Sequence, residues 1–227
     1  MEQSEAKTQS TETFSSYMAG VFAWMFTGLS VSGIIGYLIS TSGENIQALV
    51  LNPISFLILV VLQFGIVIFL SARITKLSAN AARAAFLAYA ASVGATLSMV
   101  FLAYTNTSIM RVFFIAGSMF LVMAIIGYTT KVDLSKLGML LIMGLLGIII
   151  ASLVNIFIGS STLELIMSYL GVVIFLGLTA YDIQKIKKVY AQFGSAGNLA
   201  ILGALSLYLD FLNLFLFLLR IFGVAKD

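Results

Sequence analysis

The chain contains no cysteine and no histidine. That excludes disulfide staples, thiol nucleophiles, histidine-ligated zinc or haem, and any Ser-His-Asp relay. Any response to pH must therefore fall to carboxylates. Charge is scarce as well: 9% of the residues are Asp, Glu, Lys or Arg, against 61% hydrophobic. A chain so poor in charge cannot clothe a water-facing surface and must use lipid as part of its solvent. The formal net charge is only +3, and the basic residues are scattered rather than gathered into a patch, so no nucleic-acid partner is expected.

What is present is length without interruption. Seven apolar stretches, at about 18–40, 54–72, 83–104, 110–130, 136–158, 163–184 and 199–220, are each long enough to cross a hydrocarbon core of ~30 Å. Turn-forming residues separate them, among them Ser42-Gly43, Asn52-Pro53, Thr105-Asn106-Thr107, Gly159-Ser160-Ser161 and Gly194-Ser195. The expected architecture is an all-α integral membrane protein with seven transmembrane helices. Residues 1–16 are polar and acidic, without the basic n-region and cleavage site of a secretory signal, and read as a mobile tail. Residues 17–227 read as a single seven-helix membrane domain.

Orientation follows from the connections. Arg73, Lys76, Arg83, Lys131, Lys136, Lys185, Lys187 and Lys188 fall in the second, fourth and sixth, whereas the first and fifth carry no Lys or Arg and the third only Arg111. Positive charge stays inside, which places the N-terminus in the cytoplasm and the C-terminus outside. Arg220 and Lys226 follow the last span, so a re-entrant final hairpin is the alternative. Stripes of small residues mark expected helix contacts: Gly28, Ser32 and Gly36; Ala84, Ala88, Ser92 and Thr96; Gly147, Ala151, Asn155 and Gly159.

Two carboxylates stand where a spanning helix should carry no charge. Asp182 lies in the sixth stretch and Asp210 near the middle of the seventh. Ionisable groups in a membrane interior are costly and mark proton, ion or partner-charge sites. If the two face each other, desolvation and mutual repulsion disfavour the doubly ionised state, so the pair is expected to share a proton and to hold the last two helices together until that proton leaves. With the span limits above they lie on the order of 10 Å apart in depth, a gap that closes if the sixth helix continues to about Tyr190. Arg73, ending the second span, can reach toward them and steady the closed state. A hard cation such as calcium prefers oxygen, which Asp182, Asp210, Asn155, Asn213, Thr96 and Ser98 offer along the spans.

Several runs carry a resemblance. Ala180-Tyr181-Asp182-Ile183-Gln184, Leu207-Tyr208-Leu209-Asp210-Phe211-Leu212-Asn213 with Leu219-Arg220, and Gly94-Ala95-Thr96-Leu97-Ser98 resemble the Bax inhibitor-1 family, and Gly127-Tyr128-Thr129-Thr130-Lys131 is similar to its bacterial membrane branch. The resemblance runs from about residue 14 to the end. It implies a central helix wrapped by the other six, and a pH-sensitive calcium leak in a bacterial inner membrane, with Asp182 and Asp210 as pH sensor, gate and transient calcium contact. It makes Arg73 the latch; the side-chain oxygens of Asn213, Asn155, Thr96 and Ser98 make those four the candidates for the ion path. Many relatives have a glutamate just before the glycine of the third-span motif, where this chain has Val93.

Rival readings use the same residues. An intramembrane aspartyl protease needs a Gly-x-Gly-Asp context and a Pro-Ala-Leu element, but the second aspartate follows Leu207-Tyr208-Leu209 and the only proline is Pro53. The chain is expected not to be an enzyme and to need no cofactor, with the lipid bilayer, protons and calcium ions as its partners. The alternative is a non-transporting regulator that binds a membrane protease or another integral membrane protein through the polar tail, with Glu2, Glu5 and Glu12.

Overall fold

The computed structural model describes residues 13–226, so most of the expected tail, including Glu2, Glu5 and Glu12, lies outside the described residues. Eight helices follow in order: α1 (Phe14–Ser40), α2 (Glu44–Leu51), α3 (Pro53–Arg73), α4 (Ala79–Ala103), α5 (Asn106–Thr129), α6 (Ser135–Ile158), α7 (Ser161–Phe193) and α8 (Gly197–Phe222), with a 3₁₀ turn at Ile74–Lys76 after α3. All but the short α2 are long and apolar enough to span a membrane. Sequence reading missed α2, which occupies the first connection. It also began the first span four residues late, because Thr13 caps α1 by accepting from the Ser16 N–H.

α8 is the central helix: 67% of its apolar stretch is buried, against 6% for α3. It is surrounded by α1, α4, α5 and α7, while α3 leans on α4 and α6 on α7 from outside. Lipid does not drive helices together by hydrophobicity, so backbones must approach closely. At Gly94 a Cβ would lie 2.8 Å from the Ser32 carbonyl oxygen, and one at Gly127 would strike the backbone of Ala180. Ser32 also bolts three helices together, its hydroxyl lying 2.7 Å from both the Ala90 carbonyl of α4 and the Tyr208 hydroxyl of α8.

Of the three small-residue stripes, the first packs as expected. In α4 the face toward α1 carries Ala90 and Gly94, while Ala84 and Ala88 are exposed and Ser92 and Thr96 turn toward Gln63 of α3. The α6 stripe does not pack: nothing lies within 4 Å of a Cβ at Gly147. Small residues permit close approach, but only a facing helix uses it.

α7 extends to Phe193 rather than stopping near Gln184, and ends where Gly194 takes φ +72°. Lys185, Lys187 and Lys188 therefore sit on its last three turns, with Lys187 and Lys188 reaching the end of α5 and the connection after it. The even connections gather at one end of the bundle, with Asn198 Nδ2 donating to the Ile74 carbonyl at 2.7 Å and Gln184 Nε2 to the Val132 carbonyl at 2.8 Å. α8 is one continuous helix of 26 residues, long and apolar enough to cross a membrane. Its C-terminal extension is fastened at the opposite end, where the Thr105 N–H donates to the Val224 carbonyl and the Lys226 N–H to that of Ala103, both at 2.9 Å.

Gly127→Val, which forces a branched side chain into the α7 backbone, is expected to destabilise the purified protein by about 1–3 kcal/mol, read as a lowered thermal midpoint in detergent. Gly147→Ala meets open space and should leave that midpoint unchanged or raise it slightly.

Candidate functional site

The length of α7 sets the depth of the acids. Asp182 lies eleven residues before Phe193 and Asp210 thirteen after Gly197. At ~1.5 Å per residue they stand roughly 16 and 20 Å from the turn that joins the two helices, nearly level. The gap left by the shorter span therefore closes.

Both carboxylates line one cavity of about 590 Å³ between α3, α6, α7 and α8. Asp182 is half-buried and within hydrogen-bonding reach of the Ser206 hydroxyl. Asp210 is 5% exposed, and its Oδ2 is buried without a hydrogen-bond partner among the described residues. A buried polar atom left unpaired is costly and demands an explanation. On α8 the cavity follows one face from Ser206 through Asp210 and Asn213 to Arg220. The fourteen steps between them cover roughly 21 Å, about two-thirds of a hydrocarbon core.

Two further cavities adjoin it. One of about 260 Å³, lined by Tyr17, Ser71 and Val189, lies toward the basic end and shares Asp182, Lys185 and Ser206 with the first. Another, of about 340 Å³, holds Gln63, Tyr89 and Thr96 and shares Asn213, Leu209 and Phe64. Asp182, Lys185 and Ser206 are thus the polar junction on one side of the acid cavity and Asn213 that on the other.

The other anticipated residues are placed differently. Arg73 is exposed at the end of α3 and lines none of these cavities; the cation beside the acids is Lys185, one turn after Asp182 and near enough to act on both carboxyls. Asn155 closes the α6–α7 turn, donating to the Ser160 carbonyl at 3.2 Å and accepting the Ser160 N–H at 3.0 Å. Ser98 is buried and donates to the Ala95 carbonyl at 2.7 Å. The residues that sequence reading missed are Gln63, Lys185 and Ser206. Gln63 had a signal, being the one amide in α3 and the one polar side chain in its apolar middle.

Among the described residues no three acidic groups come together. Two carboxylates with amide and hydroxyl oxygens can hold a hard cation only loosely, as a conducting path requires. Outside the spans, Asp133 accepts from Lys188 Nζ at 2.6 Å and from the Ser135 hydroxyl at 2.8 Å. Chiefly through the lysine, these contacts hold its carboxyl down at about 2, from an ordinary 3.8.

A bundle of seven spanning helices with two acids inside it defines a multi-pass membrane protein with an intramembrane polar site. Comparison with known proteins supplies the family. The model of the family described as "Inhibitor of apoptosis-promoting Bax1" matches residues 14–227, and the chain belongs to the Bax inhibitor-1 family. It is 44% identical to the inner membrane protein YbhL of Escherichia coli over 225 residues, 97% of this chain and 96% of that one. It is 46% identical to an uncharacterized protein of Borreliella burgdorferi over 216 residues, 93% of each. An uncharacterized membrane protein of Streptococcus pyogenes serotype M3 is 38% identical over 220 residues, 95% of this chain and 96% of that one.

Because the Asp133 carboxyl is depressed in the folded state, its contribution to stability is present above its ordinary value and is lost only as pH falls from about 4 to about 2. Asp133→Asn is therefore expected to leave any flux response between roughly pH 5 and 8 unaltered, as proteoliposome assays across that range will read.

Proposed function

We propose that the protein is a pH-sensitive cation leak, with calcium as the conducted ion, in a bacterial inner membrane. The observation that carries this reading is the shared cavity, in which Asp182 and Asp210 stand at one depth with no cation paired tightly to either. Two carboxylates in a low-dielectric space cannot readily both be ionised, so they hold a proton between them. While that proton remains, α7 and α8 stay together. Its departure leaves two like charges that repel each other and attract a passing cation, and the path from the basic end through Asp182, Asp210 and Asn213 opens. The clustered lysines and arginines put that end in the cytoplasm and the C-terminus outside.

The latch is a positive charge that shields the acids in the closed state. Arg73 serves only if its long side chain swings inward from the end of α3, whereas Lys185 is already beside them. The regulator alternative rests on the polar tail, outside the described residues.

Calcium flux through the purified protein in vesicles tests the reading. Asp182→Asn and Asp210→Asn should each flatten the pH dependence between about pH 5 and 8; a wild-type profile in both would falsify the gate. Arg73→Ala raising basal flux assigns the latch to Arg73. If Lys185→Ala raises it and Arg73→Ala does not, the latch is Lys185.

A further inference from the structure

The acid-pair cavity is open to one side as well as along its length. Its α3 and α6 walls include Phe64, Ile142, Ile149 and Leu153, exposed large apolar side chains on the outer surface of the bundle. In a bilayer these residues face acyl chains, so the opening between α3 and α6 admits molecules dissolved in the lipid. Behind this portal the cavity is mostly hydrocarbon and aromatic, with Phe175, Tyr181 and Phe217 among its walls. A few polar groups converge at its floor. A volume of about 590 Å³ with such a lining is characteristic of a small-molecule site.

We infer that this cavity binds lipophilic organic cations, which enter from the bilayer between α3 and α6 and place their charge against Asp182 with Asp210 behind it. The charge pattern selects the sign. Half-buried Asp182 offers a carboxylate to the cavity, and the Oδ2 of Asp210 is buried without a partner. Of the two cations on the lining, Lys185 stands at the basic end, and Arg220 lies at the other end, where its Nε is 4.0 Å from a carboxylate oxygen of Glu164 and its guanidinium is 5.6 Å from the Phe217 ring centroid. Neither forms an ion pair with Asp182 or Asp210 among the described residues. A cation with an apolar body gains from both parts of the site: aromatic faces attract positive charge, and the carboxylates acquire a direct ionic partner, since Lys185, one turn after Asp182, acts on both but forms no ion pair with either among the described residues. An anion of the same shape gains only the apolar walls and meets repulsion at the floor.

Binding uses the acids of the proposed gate but does not require that they conduct, so it is read without flux. The test is equilibrium dialysis of tetraphenylphosphonium against the full chain in lipid nanodiscs, with empty nanodiscs of the same lipid subtracting partition into the bilayer. Tetraphenylborate, matched in shape and opposite in charge, is the control. The expected result is saturable binding of the phosphonium only, weakened at least tenfold by Asp182→Asn and, through the portal, by Ile149→Trp. Loss of binding in Ile149→Trp, a lipid-facing substitution away from the acids, keeps the portal testable if Asp182→Asn fails to fold. Absence of saturable phosphonium binding, equal binding of the two ions, or unchanged affinity in a folded Asp182→Asn or Ile149→Trp protein would overturn the inference. A flattened pH profile without phosphonium binding would leave the gate standing and remove this site alone.

Discussion

Asp210 can point into the cavity because Tyr208 is held on the other side of the same helix. Ser32 of α1 fixes the Tyr208 hydroxyl at 2.7 Å while bonding to the α4 backbone, and Phe86 and Tyr89 meet the Tyr208 ring edge-on. Two residues along an α-helix turn the side chain by about 200°. Anchoring Tyr208 toward α1 and α4 thus aims Asp210 toward α7. Rotational freedom of α8 would turn the carboxyl away from Asp182, and the packing that removes it relies on helices whose backbones come close. Gly94 makes that approach between α4 and α1, and Gly127 between α5 and α7.

The polar groups inside the bundle fall into two kinds. Those that close on a neighbouring backbone, such as Gln184 on the α5–α6 connection, Asn155 at the α6–α7 turn and Asn198 on the 3₁₀ turn, have their capacity used where they sit. They hold the ends of the helices in register. Asp182 and Asp210 instead border open space, and in a low-dielectric interior such groups must find a proton, an ion or water. The same low dielectric that makes the first kind strong makes the second kind reactive to whatever enters.

α3 and α6 are the loosest parts of the arrangement, and both border the acid cavity. α3 is the least buried span, tied inward by Gln63, whose amide donates to the Ser92 carbonyl at 3.1 Å and lies 3.4 Å from the Thr96 hydroxyl. α6 rests on α7 through Gly138 against the Tyr181 ring and Leu141 against Gly177.

The amino-acid sequence determined the number of crossings, the end of the bundle that carries positive charge, and the two anomalous aspartates, because hydropathy, charge bias and the cost of a buried carboxyl are properties of single segments in lipid. It also carried the family motifs. Depth, facing and partnership were decided by tertiary structure. The composition of α7 alone placed its end at the lysines, whereas the folded helix runs on to Gly194 and brings Asp182 level with Asp210. Lys185 rather than Arg73 lies at the acids because Leu70 takes the inward side of the last turn of α3 and leaves Arg73 exposed. The α6 stripe looked like a contact but met no partner, since a small residue becomes an interface only when the fold brings another helix against it.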